Sequence, residues 1–600
     1  MKLLRTYVNK LLLNVSAGSL FLKKPTIHFY PEVEYCPGCG LKLNVRKTNP
    51  KKTVVTMHIG AFWAKETELE CPQCGVVYFS EELRRLVPAH CTYGFDVIEY
   101  VGKALFLRSR NNREIMNELR SENISISERE VSFLGRKFII YLTFAHQESN
   151  DKLRVSMSKR GGYILHVDGS CEGNSPHLFC GLDGISEIVL GAIKIPSEKK
   201  DELIPFFRQI KEKYGIPIAL VHDMGVAILR AVEEVFPGIA DFICHFHFLR
   251  DIGKDLLLHD HQIIMNRLKK IDIRGSLRRR ENYLKGKIDS DNMEMLIKFS
   301  KTLANGTLTS DDLQSTPDIA TYLLIKWALE SSHQAKGYGF PFDRIHLDFY
   351  LRLKEIHRII EGVNNTHLGA KARKNGPFMR VWKLLDEVVK DKELIDAVTN
   401  MEAKVEVFDK LRKALRIALP EGKNGLNDEG EACIKTIEKE VTEFREWLQD
   451  NKERKVTYAK MIGQIDKYWS KLFVDPITVN TPDGPVDILP QRTNNILERF
   501  FRKIKRLGRK KSGTSSLNKM MKAILAETPL VKNLENEEYM DIILDGRATL
   551  AERFSQIDVK LVQKQLKEAR KNQDKLPGEV KKMISLPDLP NKIAVLLKAA

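Results

Sequence analysis

Between residues 162 and 243 the chain spells out an order of elements that few folds can accommodate. "YILHVDG", "HLFCGLDG" and "EIVLGAIKI" are three short, apolar, β-branched runs. "SEKKDELIPFFRQIKEKYG" then has helical spacing and closes on Gly215. "PIALVHDMG" is another apolar run, "GVAILRAVEEVFPG" is a second helix closed by Pro237 and Gly238, and "IADFICHFHFL" begins as a strand. Short runs of this kind read as buried strands. Strands joined by brief turns make an antiparallel meander, and strands reached through a helix add in parallel. The expectation is a mixed sheet with helical crossovers, an α/β core.

Three of these runs meet an acid. Asp183 is followed by Gly184 between two strands, the signal of a tight hairpin whose central residues need positive φ, so it is expected to turn a corner. Asp168 has no such role, because "GSCEGNSPH" after it is too long for a tight turn. An acid at the end of a buried strand costs free energy unless it is paired or binds a metal. Asp223 ends another run; Val221 and Asp223 share a strand face while His222 points the other way. If the 163–168 and 217–223 strands are neighbours, Asp168 and Asp223 converge, and two carboxylates are hard ligands suited to Mg²⁺ or Mn²⁺. Two such ions about 4 Å apart serve phosphoryl transfer. The alternative is two unrelated strand ends.

The 600 residues exceed one ordinary core, and 43% hydrophobic content excludes general disorder. Lys and Arg number 97 against 79 acids, a net charge of +18, which favours a polyanionic partner, nucleic acid before anionic membrane. Apolar runs stay below the ~18 residues of a membrane helix. The start, "MKLLRTYVNKLLLNVSAGSL", is broken by Arg5, Asn9, Lys10 and Asn14 and reads as cytosolic rather than as a signal peptide.

Of nine cysteines, four form "YCPGCG" and "ECPQCG". Cys36, Cys39, Cys71 and Cys74 are expected to make two knuckles around one structural zinc, with Gly40 and Gly75 supplying unhindered backbone. The β-prone "KKTVVTMHIGAFWAKETELE" suits a hairpin between the knuckles. From "FDVIEYVGKALF" to "REVSFLGRKFIIYL", apolar residues recur at helical spacing, and Ser127 and Glu130 form a Ser-x-x-Glu cap. The pattern is that of a helix-turn-helix whose third helix offers Arg129, Arg136 and Lys137 to DNA; any three-helix bundle is the alternative.

These residues together resemble the DDE transposases, which have a ribonuclease H-like catalytic domain, and most closely the insertion-sequence and Mutator-like groups with a Cys-x-x-His after the second Asp. Here "ILHVDGS" holds the first Asp, and "ALVHDMG" the second, 55 residues on. "FICHFHFLRDIGKDL" supplies Cys244 and His247, and "QRTNNILERFFRKIKRLGRKKSG" supplies Glu498 on a basic amphipathic helix after Thr493, Asn494 and Asn495. The likeness spans about 160–255 and 489–520, and loosely the zinc and helix-turn-helix regions. It implies that Asp168, Asp223 and Glu498 bind Mg²⁺ or Mn²⁺ as a catalytic triad, that zinc is structural, and that the partners are element ends and target in double-stranded DNA. It implies a homo-oligomer, in the simplest case a dimer, with no membrane and a cytoplasmic, nucleoid-associated place in a prokaryote. Cys244 and His247 are expected to pack or hydrogen-bond beside the acids; a metal site there needs two further ligands.

The fold class that follows is multidomain α+β. Residues 1–34 are an N-terminal segment, 35–82 a zinc-ribbon-like module and 90–145 the helix-turn-helix. Residues 160–255 open the ribonuclease H-like core, 256–488 form an all-α insertion, 489–530 complete the core with Glu498, and 531–600 form a helical tail. Within "VDPITVNTPDGPVDILP" a Pro/Gly-punctuated connector is expected. The 499–511 stretch holds eight Lys/Arg, and Arg502, Lys503, Lys505 and Arg506 are expected to meet phosphates. The function implied is that of a DNA transposase cutting and joining strands. The alternatives are a catalytically silent DNA-binding derivative and a ribonuclease H-like nuclease without strand transfer.

Overall fold

The computed structural model describes residues 24–288, 293–307, 316–330, 337–366, 376–419, 433–473, 475–513, 516–571, 578–584, 586–591 and 593–594. The reading of residues 1–20 as a cytosolic start lies outside them. Two compact units form, Met1–Asp241 with Ile477–Ala600, and Phe242–Pro476. The sheet-bearing unit is thus made of two separated stretches of chain.

At its N-terminal end, β1 (Thr26–Phe29), β2 (Asn44–Thr48), β3 (Lys52–Thr56), β4 (Gly60–Glu70) and β5 (Val77–Tyr78) build a small sheet around β4. The pair β3–β4 is the expected hairpin, antiparallel from Lys52↔Ala64 to Thr56↔Gly60. Phe29, Val54, Phe62, Ala64, Leu83 and Val87 form the local core.

Three helices follow: α1 (Phe95–Phe106), α2 (Asn112–Ser121) and α3 (Glu128–Glu148). The Ser127 hydroxyl caps α3 by accepting from the Glu130 amide at 3.2 Å. The reciprocal capping box is on α2, between Asn111 and Glu114. Gly102 and Gly135 allow α1 and α3 to touch: a Cβ on Gly102 would stand 2.0 Å from the Phe138 ring. These helices share one continuous hydrophobic core with the main sheet, running from Val101 and Phe138 through Leu165 and Phe207 to Leu497, Tyr539 and Phe554.

The main sheet has the order β10-β9-β6-β7-β8, from β6 (Ile164–Ser170), β7 (His177–Asp183), β8 (Val189–Ile195), β9 (Ala219–His222) and β10 (Ala240–Ile243). The meander is antiparallel and β9 lies parallel to β6, as the element order demands. Two helices, α4 (Lys200–Tyr214) and α5 (Val226–Val235), make the crossovers.

Asp183 corrects the tight-hairpin expectation. Neither it nor Gly184 has positive φ; Glu187 does, at 57°. The loop instead closes from Asp183 N to Ile188 O at 2.8 Å, and the buried Asp183 carboxylate organises it. It accepts from the Ile164 and Ile185 amides at 3.2 and 3.0 Å, and from the Ser186 hydroxyl at 2.5 Å. The carboxylate satisfies backbone donors that a two-residue turn would have paired directly.

The expected connector after residue 473 is also different. Ile477–Thr481 and Gly484–Ile488 pair as an antiparallel hairpin, and Val479 packs where a side chain on Gly161 (φ +84°) would collide at 2.4 Å.

The C-terminal segment anchors back onto the sheet. The Asn533 side chain accepts from the Val189 amide at 2.7 Å and donates to the Val189 carbonyl at 2.9 Å, pairing with edge strand β8 as a neighbouring strand would. Lys532 Nζ reaches the Glu187 carbonyl at 2.7 Å, and Arg553 donates to Glu148 on α3 at 2.6 Å. Between them, fully buried His146 is held by Tyr539 and Tyr214 at 3.1 and 2.8 Å. Burial lowers its pKa to about 4.

The second unit is built of helices, beginning with α6 (His245–Lys270) and including Ile345–Thr366, Lys392–Ala414 and Ala459–Leu472. Arg344 grips Asp409 through two 3.0 Å bonds, and Lys404 meets buried Asp260 at 2.6 Å. Among the described residues no helix is long and apolar enough to cross a membrane.

Asn533→Ala strands a buried donor and a buried acceptor of Val189, at a cost of ~1–3 kcal/mol each. Thermal unfolding is expected to show a loss of about 2–4 kcal/mol by that reckoning, with Asn533→Asp restoring only the bond to the Val189 amide.

Candidate active site

The parallel register sets the geometry. Ile164 faces Ala219, Leu165 faces Leu220 and His166 faces Val221. The pairing ends there; Asp168 lies two residues further along β6 and Asp223 just past the end of β9, close enough for the charge of one to act on the other. His222 projects to the other face, where it bonds the Asp241 carboxylate of the neighbouring strand. Asp168 is buried, and one of its oxygens accepts from the Gly169 amide at 2.8 Å. Asp223 sits just past β9, accepting from Gly225 N at 2.9 Å.

Helix α7 (Asn495–Ser512) packs against β6, and Glu498 lies one turn from its start. Burial pushes the Asp168 carboxyl well above the ordinary carboxylate range, and the negative charges of Asp223 and then Glu498 push it further. A smaller push in the same direction comes from Glu198, which the sequence reading missed. Glu198 follows β8 and lies so close over Gly169 that a Cβ there would meet its Oε1 at 1.9 Å. It also bonds His177 Nδ1 at 3.1 Å. Nothing in its polar surroundings, "IPSEKKDE", distinguishes it from a solvated helix start; only the pairing of β6 with β7 and β8 brings it near Asp168.

Mutually repelling carboxylates, one of them buried, are a donor set that a hard divalent cation would neutralise. Asp168, Asp223 and Glu498 would be its ligands. Among the described residues, however, only the four cysteines bring three or more ligand groups within 4.8 Å of one another. The ligand atoms of the three acids therefore do not all lie within 4.8 Å of one another, as those of the cysteines do.

Cys36, Cys39, Cys71 and Cys74 are the set that closes to 4.8 Å. Their two knuckles are near copies. Gly40 N donates to Cys36 O at 2.8 Å and Gly75 N to Cys71 O at 3.0 Å, and both glycines have φ of +68°. Cys36 Sγ and Cys74 Sγ are 3.7 Å apart; zinc–sulfur bonds of ~2.3 Å at tetrahedral angles require about 3.8 Å. The residues fit a structural zinc. Tyr78, which no sequence motif singles out, bonds Cys36 Sγ at 3.2 Å. That hydrogen bond is the largest influence lowering the Cys36 thiol to about 6.

The residues expected to meet DNA divide. Arg129 is exposed near the start of α3, and Arg136 is half-buried. Lys137 is 7% exposed; it turns inward, with Nζ 2.9 Å from Cys91 Sγ and over the Phe133 ring, so it presents no cation to a ligand. On α7, Arg502 and Arg506 are exposed and Lys505 is half-buried. Lys503 is exposed but ion-paired with Glu535 at 2.6 Å. Glu498, Arg502, Lys505 and Arg509 are spaced to share one helix face.

The expected strand around Cys244 ends at Ile243, and Cys244 is the N-cap of α6. Cys244 and His247 occupy the N-cap and the third position of the first turn. Both are buried, and they belong to the helical unit.

No protein-family model and no curated protein sequence matches the chain. One solved structure it is similar to is the Drosophila P element transposase strand transfer complex, at 11% identity and a TM-score of 0.28, over 76% of this chain and 93% of that one. So loose an overlay carries no weight in the assignment.

Asn mimics a protonated Asp168. Because the folded pKa is raised above its unfolded value of about 3.9, the acid's contribution to stability is intact below that pH and is lost as pH rises toward the folded value. In chelator, Asp168→Asn is therefore expected to melt above wild type at pH 7.5. The gap should shrink at pH 4, and also at pH 7.5 on adding Mg²⁺ or Mn²⁺. For the cysteines, one zinc per chain by elemental analysis is the expected result, lost in Cys36→Ser.

Proposed function

We propose that this chain is a DNA transposase of the DDE type, cutting and joining DNA strands at Asp168, Asp223 and Glu498. The observation that supports the reading is the parallel pairing of β6 with β9, which leaves Asp168 on β6 and Asp223 just past β9 at the same end of two neighbouring strands, with the helix that bears Glu498 packed against β6. Divalent ions bound there would supply Lewis-acid and water-activating chemistry for attack on a phosphodiester. No serine or tyrosine nucleophile is called for.

The rest of the site has roles that follow from charge and placement. Arg502, Lys505 and Arg506 continue from Glu498 along α7 and hold the backbone of the strand being cut. Helices α2 and α3 form the helix-turn-helix, with Arg129 and Arg136 facing DNA; inward-turned Lys137 is not part of that surface. The zinc module is structural. Residues 160–241 with 477–530 are the ribonuclease H-like core, and the helical unit, 242–476, is its insertion. Synapsis of two element ends requires at least a dimer.

The test uses purified chain, Mg²⁺ or Mn²⁺ and a plasmid carrying the DNA that flanks its own coding sequence. Nicking and strand joining are expected, reduced to background in Asp168→Asn, Asp223→Asn and Glu498→Gln with DNA binding retained. Wild-type cleavage by Asp168→Asn would overturn the site. Nicking without joining would make the protein a nuclease. For Arg502→Ala with Arg506→Ala, the slope of log affinity against log salt is expected to fall by about 2, close to one per lost phosphate contact.

A further inference from the structure

Asparagine before a helix ordinarily turns its side-chain oxygen back onto the amide of the second or third helical residue, which stabilises the helix by ~1 kcal/mol. Asn494 precedes α7 and makes no such cap. Its amide group donates to the Val167 carbonyl on β6 at 2.7 Å, and its oxygen faces His166 Nδ1 at 3.0 Å. Asn494 and His166 are both fully buried. The β6–β9 pairing ends at His166↔Val221, so the Asn494 side chain takes up the next carbonyl of β6, one residue before Asp168.

The bonding pattern fixes the histidine tautomer. Asn494 spends its NH₂ on Val167, so its oxygen must accept, and the proton must sit on Nδ1 of His166. The far side of the ring lies on Gly184, where a Cβ would come within 2.5 Å. That close approach is the demand on Gly184. Asp183 beside it holds the start of β6 through the Ile164 amide.

Glu498 stands four residues after Asn494, with its amide bonded to the Asn494 carbonyl at 3.1 Å. One helical turn places the two side chains on the same face. Whatever fixes Asn494 on β6 therefore fixes the distance from Glu498 to Asp168.

We infer that Asn494 and His166 form a positioning latch that trades a helix cap for a tie to β6 and thereby sets Glu498 beside Asp168. The inference rests on the reading of Asp168, Asp223 and Glu498 as metal-binding acids. Neither latch residue touches the ion or the DNA; they act through the start of α7.

The test is Mn²⁺ affinity of the full-length, zinc-loaded chain, followed by the paramagnetic resonance of free Mn²⁺. Asn494→Ala is expected to weaken binding about 10- to 100-fold, the range for residues that orient metal ligands. Combined with Glu498→Gln it should weaken binding no further than either change alone, whereas combined with Asp223→Asn the losses should add. His166→Asn supplies a side-chain N–H donor of similar reach and is expected to keep affinity near wild type, while His166→Leu lowers it. Hydrogen exchange of residues 495–499 should quicken in Asn494→Ala and Asn494→Ser more than that of the β7–β8 pair, which the latch does not touch.

Full additivity of Asn494→Ala with Glu498→Gln, or wild-type affinity in Asn494→Ala, overturns the latch while leaving the acids' role standing. Wild-type Mn²⁺ affinity in Asp168→Asn and Glu498→Gln sinks the reading of the acids themselves, and the latch with it.

Discussion

The pairing of β6 with its neighbours is the constraint on which the site depends. β6 takes an antiparallel partner along its length and a parallel partner as far as His166, so Asp168 stands on a strand tied into the sheet. That rigidity allows Asp168 to remain buried among like charges. Here Asp168 is held on a paired strand, and the charges of Asp223, just past β9, and Glu498, on α7, act on it. The site therefore accepts instability locally in exchange for a fixed position, a common arrangement where charge must be placed for chemistry.

Much of this was legible from alternation and element order. The mixed sheet followed from three strands in a meander and two helical crossovers, and strand alternation suggested Asp223 as a partner for Asp168 although Asp223 lies just past β9. Glu498 was not legible by that route. It lies 330 residues from Asp168 in sequence, and the resemblance alone selected it among many acids. The physical sign of its place is Asn494, whose tie to β6 no local pattern reveals. Glu198 was missed for the same reason: its surroundings are polar, and only the fold brings it near Asp168.

The misreadings share a cause. Asp183-Gly184 has the composition of a tight turn, but its carboxylate does the pairing and its glycine clears space for His166. Lys137 looked like a helix-surface cation because charge is usually solvated; its long apolar stem allows it to run inward to Cys91. "ITVNTPDGPVDI" was read as a connector because proline and glycine punctuate it, yet prolines are tolerated in short edge hairpins. In each case local chemistry allowed two outcomes and tertiary packing selected one.

The C-terminal segment shows how far that selection reaches. Its sequence carries no motif, yet Asn533 pairs with the sheet edge, Arg553 reaches Glu148 of α3, and Tyr539 closes on His146. The same hydrophobic core runs through the three N-terminal helices, the sheet and this segment. Helices that share a core cannot swing as a tethered domain would, because parting them exposes apolar surface at ~25 cal/mol per Å². Within this unit, then, the surface carrying Arg129 and the acids on the sheet are held at a fixed separation. Under the proposed function, DNA gripped by one would reach the other at a distance set by packing rather than by a linker, and β6, at the centre of that packing, carries Asp168.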